Sequence, residues 1–240
     1  MSQEIFEREL QHLQDEVLVL GSIVEKAIIE SVESLKRRDL EGSQQLIALD
    51  RRISEKRLAI EIDCLILLLN QQSGDGDLWT MISILEIATE LEHIWDYAKS
   101  IARNHFVIVE QPFLDLLSGL HRMAIKSRDM LHGALEAFRQ RDSALAQAIP
   151  AEGDEVDALY TQVYQELLPL MGGNPRTMAQ ARFLSRVARN LERAANRVNS
   201  ICEWVAFTVT GTLAELHPDH PQRLSRDELL HQQSMTFLGD

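Results

Sequence analysis

Two stretches of the chain are copies of one another. Ile84 to Ala102 reads ILEIATELEHIWDYAKSIA, and Leu184 to Cys202 reads LSRVARNLERAANRVNSIC. At an offset of 100 they share Ala88 with Ala188, Leu91-Glu92 with Leu191-Glu192 and Ser100-Ile101 with Ser200-Ile201, while Ile84 meets Leu184. On a helical wheel, Ile84, Ile87, Ala88, Leu91, Ile94, Trp95, Ala98, Ile101 and Ala102 fall on one apolar stripe, the mark of a core-facing amphipathic helix. Glu92 and Asp96, one turn apart, lie on the outer side, roughly 110° and 150° from the stripe centre. Two carboxylates so placed can chelate a hard cation, since like charges that close repel unless neutralised.

The duplication extends to the whole chain. Residues 3–37 read as one long helix, closed by the basic cluster Lys36-Arg37-Arg38, and Asp39 caps a second helix over about 40–71. A turn at Gly74 precedes a third helix over about 78–107, and Gln111-Pro112 ends the first half. The second half repeats the plan with helices over about 113–140, 143–171 and 176–210, the last begun by the Gly172-Gly173-Asn174-Pro175 turn. Glu33 to Asp39 (ESLKRRD) lies over Glu136 to Asp142 (EAFRQRD) at an offset of 103, so the second copy has lost three residues, most simply at its shorter turn. Pro150 should kink or split the fifth helix, and Pro169 should disturb its last turn. The expectation is an all-α protein of six long helices in two tandem pseudo-symmetric three-helix bundles, 1–110 and 111–212, with a polar tail 213–240 holding at best a short helix from Arg226 to Gln232.

Composition narrows the partners. With 24 Lys and Arg against 37 Asp and Glu, the net charge of -13 argues against nucleic acid, whose binding needs clustered cations, and suits cations or basic protein patches. The N-terminus MSQEIFEREL carries neither a basic n-region nor an apolar h-region, and the longest apolar run, Cys64 to Leu69, is far short of a membrane span; the expected place is the cytoplasm. Cys64 and Cys202 sit at apolar helical positions with no metal spacing and read as reduced core residues. Long helices with apolar edges fit a homodimer. Trp79, Trp95 and Trp204 read as packing residues.

If the second and third helices form a hairpin, facing residues have numbers summing to about 148. Asp96 then faces Arg52 and Glu92 faces Lys56, with Asp50 and Glu55 within a turn; in the second hairpin Asn196 faces the stretch from Pro150 to Glu155. Two readings stay open. Each repeat gathers carboxylates at one level, which suits a divalent or ferric ion with oxygen ligands. The alternative is a solvated acidic face with Arg51, Arg52 and Lys56 as counter-charges. An ExxH run, Glu90 to His93, repeated at Glu228 to His231, belongs to the vocabulary of di-iron carboxylate bundles, but those need two such helices and two further Glu aimed into the core. No nucleophile and base pair or phosphate-cradling glycine loop occurs, so the chain does not read as a nucleophilic enzyme; a metal-dependent carboxylate-bundle enzyme and a plain helical scaffold are the alternatives to a regulator.

Leu91-Glu92-His93-Ile94-Trp95-Asp96-Tyr97-Ala98 with Ile101-Ala102 resembles the LERIxDxAxxIA signature of the PhoU family, and Leu191 to Arg197 with Ile201-Cys202-Glu203 resembles its second copy. The resemblance covers residues 1 to about 212. It implies a six-helix cytoplasmic regulator that couples a phosphate ABC transporter to a sensor histidine kinase and restrains uptake and starvation signalling when phosphate is plentiful. It also implies metal, Fe, Zn or Mg, on the ExxxD motifs of some members. Carried over residue by residue, the candidate ligands are Glu92 and Asp96, Asp50 at the acidic position early in the second helix, and Glu192 in the second copy. There the pattern departs: Asn196 stands for Asp and Gly153 for the equivalent of Asp50, while Ser100 and Ser200 replace Asn, and Asp77-Leu78-Trp79 replaces Asp-Leu-Arg.

Overall fold

The computed structural model describes residues 3–70, 75–106, 117–172, 175–214, 216 and 223–224. It is an all-α protein built as two tandem repeats of three helical rods. The first repeat comprises α1 (Gln3–Arg37), α2 (Leu40–Ala48), α3 (Asp50–Asn70) and α4 (Asp75–His105). The second comprises α5 (Leu117–Gln140), α6 (Ser143–Ala148), a 3₁₀ turn at Ile149–Glu152, α7 (Gly153–Met171) and α8 (Pro175–Thr210).

The second rod is broken in both repeats, as expected at Pro150 in the second and against the expectation of one continuous helix in the first. In the second repeat the cause is Pro150, which has no N–H to give and whose ring crowds the preceding turn, so the chain passes through the 3₁₀ turn before α7. In the first, the Leu49 N–H reaches only to the Leu46 carbonyl at 3.2 Å, tightening one turn between α2 and α3, with no Gly or Pro to mark it. Pro169, by contrast, sits inside the last turn of α7 without ending the helix, which continues to Met171. Past α8, Leu213–Ala214 (β1) pairs antiparallel with Arg223–Leu224 (β2), a two-residue ladder too short to leave an alternating pattern in the sequence. The short helix expected at 226–232 lies outside the described residues.

The duplication is visible in the backbone itself. Arg38 (φ 56°) and Arg141 (φ 53°) both adopt the left-handed conformation that closes a helix, and in both the next residue's N–H returns to a carbonyl five positions back, Asp39 to Ser34 at 2.8 Å and Asp142 to Ala137 at 2.9 Å. Those same aspartates then cap the following helix: Asp39 Oδ1 accepts from the Gly42 N–H, Asp142 Oδ1 from the Ala144 and Leu145 N–H groups. The three missing residues are only partly lost from the turn. α3 has 21 residues and α7 has 19, so two are lost from the helix and one from the connection that follows.

Four long helices close into a ring, α1 against α4, α4 against α8, α8 against α5 and α5 against α1, with α4 and α8 in the most extensive contact. The α2–α3 rod lies on α1 and α4, and the α6–α7 rod on α5 and α8. Neighbours across the ring run antiparallel between repeats: Glu33 meets His121 and Glu25 meets His132 between α1 and α5, while Glu90 meets Arg197 and Asn104 meets Arg186 between α4 and α8. α1 and α5 approach closely at Gly21, where a Cβ would run into the Leu135 side chain. Buried residues from both repeats, Leu91 and Leu191 among them, join one continuous apolar core. Cys64 and Cys202 belong to it, and burial pushes each thiol up to about 12, which keeps both protonated and unreactive.

A shared core predicts shared unfolding. Leu91→Ala and Leu191→Ala should each cost about 2–5 kcal/mol, and both should shift the same single transition in urea titrations followed by circular dichroism. Two transitions, each moved by only one of the variants, would show repeats that unfold separately.

Candidate functional site

The outer face of the α3–α4 hairpin carries the first-repeat acids. Its register follows from three contacts: Cys64 against Met81, Ser54 against Glu92 and Asp50 against Trp95. Facing residues therefore sum to about 146, close to the expected register. The small difference changes the partners. Glu92 faces Ser54 and Arg57, not Lys56: its Oε1 accepts from the Ser54 hydroxyl at 2.6 Å, and its Oε2 pairs with Arg57 Nε at 2.6 Å. Lys56 turns the other way and pairs with Glu16 of α1.

Asp50 begins α3 at the break after Leu49, and the break turns its carboxylate toward α4. Its Oδ1 accepts from the Trp95 indole N–H at 3.2 Å and from Lys99 Nζ at 2.6 Å. Lys99 also contacts Asp96 Oδ1, so one ammonium bridges the two aspartates. Burial works to raise Asp50, but the hydrogen bonds from Lys99 and Trp95 outweigh it and hold the carboxyl below its ordinary value. Burial likewise works to lower Lys99, and its bonds to Asp50 and Asp96 reverse that, leaving the ammonium firmly charged. Trp95 is thus more than a packing residue: it is 1% exposed in the core, and it presents its one polar atom to the site. Trp79 and Trp204 do pack, each edge-on to Phe207.

Of the four candidate ligands, Asp50 and Asp96 are brought together through Lys99. Glu92 stands one turn along with its own partners, and Glu192, in the other repeat, accepts from Asn196 at 3.1 Å. Among the described residues, no group of three His, Cys, Asp or Glu side chains is arranged to hold a metal ion. Lys99, Arg57 and Ser54 were missed in the sequence. Lys99 lies three residues beyond Asp96 on the same helix, and Arg57 lies one turn beyond Ser54, which faces Glu92, so both were within reach of the spacing argument. In the second repeat, Gly153 starts α7 where Asp50 starts α3, beside Asn199, about one turn from the expected Asn196. Lys126 of α5 pairs there with Glu152 at 2.8 Å and Glu155 at 3.0 Å.

The ExxH run has a different use. Glu90, nearly buried, pairs with Arg197 of α8 at 3.2 Å across the seam between repeats, and His93 lies 3.6 Å from it. The second ExxH, Glu228 to His231, lies outside the described residues. At the far end of α4, His105 is buried and shares a hydrogen bond of 2.8 Å with Ser43 of α2. That bond ties the end of α4 to α2.

A duplicated bundle of this kind, with acids and lysines on the outside of its hairpins, defines an all-helical protein of two pseudo-symmetric three-rod repeats. The comparisons agree. The profile of the PhoU domain matches residues 17–104 and again 120–205. The chain is 31% identical over 204 residues to the phosphate-specific transport system accessory protein PhoU homolog of Caulobacter vibrioides, covering 85% of this chain and 89% of that one. It is 28% identical over 218 residues to the corresponding homolog of Clostridium acetobutylicum, covering 90% and 100% respectively. The crystal structure of PhoU from Pseudomonas aeruginosa superposes with a TM-score of 0.81 at 28% identity, over 86% of this chain and all of that one. The protein belongs to the PhoU family.

His105 gives the fold a pH dependence. Burial holds its imidazole below the ordinary value of 6.5, with Asp39 opposing. The neutral ring is therefore favoured in the folded state. Its stabilisation is present above the unfolded value and lost as pH falls through it toward the folded one. The urea midpoint of the wild type should drop between about pH 7.5 and pH 5.5, and His105→Gln should drop by less over the same range. Equal drops would remove His105 as the cause.

Proposed function

We propose that this protein is an accessory protein of a phosphate-specific transport system, acting in the cytoplasm as a non-enzymatic adaptor between the transporter and a sensor histidine kinase, and restraining uptake and starvation signalling when phosphate is plentiful. The observation that carries the reading is the match of the PhoU domain to both repeats, together with the name borne by relatives aligned over most of their length. The chemistry of the chain is in keeping with it. Both thiols are buried and protonated, and the acids of the candidate site are engaged by lysine, arginine and serine side chains.

An adaptor needs a surface, and α3 offers one. Its inner face, Ile53, Ile60, Cys64 and Leu67, is buried, yet Leu58, Ile62, Leu65 and Leu69 repeat at intervals of four, three and four on the opposite face and are all exposed, Leu69 by 86%. A single helix that is apolar on two sides has one side to spare for a second helix. Beside the stripe Glu55 pairs with Arg51 at 2.6 Å and Glu61 with Arg57 at 2.5 Å, on a chain whose net charge is -13. Its occupant on this reading is an amphipathic helix of the transporter with basic residues beside its apolar stripe.

Ile62→Asp/Leu65→Asp tests the assignment. Because both residues are on the surface, the fold should keep its stability within about 0.5 kcal/mol, while co-purification with the phosphate transporter components of the native host should be lost. A wild-type protein that associates with neither transporter components nor a sensor kinase, in high or low phosphate, would end the adaptor reading. Association unaffected by the double substitution would move the docking surface elsewhere.

A further inference from the structure

Lys99 is 14% exposed at its side chain, far less than a surface lysine needs to be. Its Nζ stands 2.6 Å from Asp50 Oδ1 and in contact with Asp96 Oδ1, and both carboxylates are turned toward it. We infer that the ammonium of Lys99 takes the place a divalent cation would hold between Asp50 and Asp96, so that the first-repeat acids form an ion cluster complete without metal. A hard cation seeks about six oxygen ligands at about 2.0–2.6 Å. Here Asp50 Oδ1 already accepts from both Lys99 and the Trp95 indole, and Glu92 is held by Arg57 and Ser54. A metal entering this place would have to displace Lys99 and then face it as a like charge.

The internal copy supports the same conclusion independently. At the established offsets, Asp50, Asp96 and Lys99 correspond to Gly153, Asn196 and Asn199. Where the two acids are gone, the lysine is gone with them. Space does not force the change, because a Cβ at Gly153 would meet Met130 Cε at 3.8 Å and Asn199 Nδ2 at 3.9 Å, ordinary contacts both. The lysine travels with the charges it balances. The acids that the second repeat does carry beside this position, Glu152 and Glu155, are again joined by one ammonium, that of Lys126 on α5. Two repeats with different acids have reached the same solution from different helices.

The test uses the full chain purified without chelator, with elemental analysis and thermal melts in EDTA, Mg²⁺, Mn²⁺, Zn²⁺ or Fe²⁺. Wild type should hold well under one ion per chain, with a melting temperature that neither EDTA nor any of the ions moves. Lys99→Asn, which installs the residue of the second repeat, should acquire about one ion per chain and a melting temperature raised by that ion. The triple variant Asp50→Asn/Asp96→Asn/Lys99→Asn should fold and bind none. Should Lys99→Asn be unfolded without metal, recovery by added metal or by the two further substitutions supports the charge balance. Three results would overturn the inference: stoichiometric metal in wild type, a folded Lys99→Asn that binds no ion, and an unfolded Lys99→Asn that neither metal nor the triple substitution rescues.

Discussion

Ser83, Glu90 and Asn104 on α4 meet Trp204, Arg197 and Arg186 on α8, along a seam that belongs to neither repeat alone. A three-rod repeat taken by itself leaves one flank of its two long helices uncovered, and apolar flank exposed to water is the least tolerable feature such a unit can have. The antiparallel pairings of α4 with α8 and of α1 with α5 close that flank twice over. Everything outward of the ring, including both broken rods and the acids they carry, hangs from helices held on this shared core.

The parts of the fold that rest on repetition were legible in the sequence. The offset of 103 between ESLKRRD and EAFRQRD locates two identical helix ends, down to a left-handed arginine at the same position in each, and the apolar stripe around Leu91 names a fully buried face. What was illegible had no local residue to announce it. Pro150 marks one broken rod, but the break at Leu49 has neither Gly nor Pro beside it. The site was half visible for a similar reason. Acids one turn apart stand out, whereas their cationic partners are recognised only once a register is fixed. An error of about two residues in that register set Lys56 opposite Glu92 in place of Ser54, and hid Arg57, one turn beyond Ser54 on the same face.

Charge is managed locally in this protein despite its acidic total. Asp50 and Asp96 share Lys99, Glu92 takes Arg57, Glu152 and Glu155 share Lys126, and Glu90 takes Arg197. The more exposed of these pairs, Lys126 with Glu152 and Glu155, contribute little each to stability. The effect of such pairing lies in where it leaves charge balanced. The hairpin face that carries the family motif is close to neutral, and so is the helix with the bare apolar stripe, where Glu55 takes Arg51 and Glu61 takes Arg57.

A core common to both repeats also constrains motion. Swinging one half against the other would uncover helix flanks now sealed in the ring, and exposing even about 400 Å² of apolar surface would cost about 10 kcal/mol, as much as the whole margin by which a typical domain stays folded. No hinge of that kind is open to thermal fluctuation. The two repeats therefore travel as one body, and a load placed on the flank of either is carried by both.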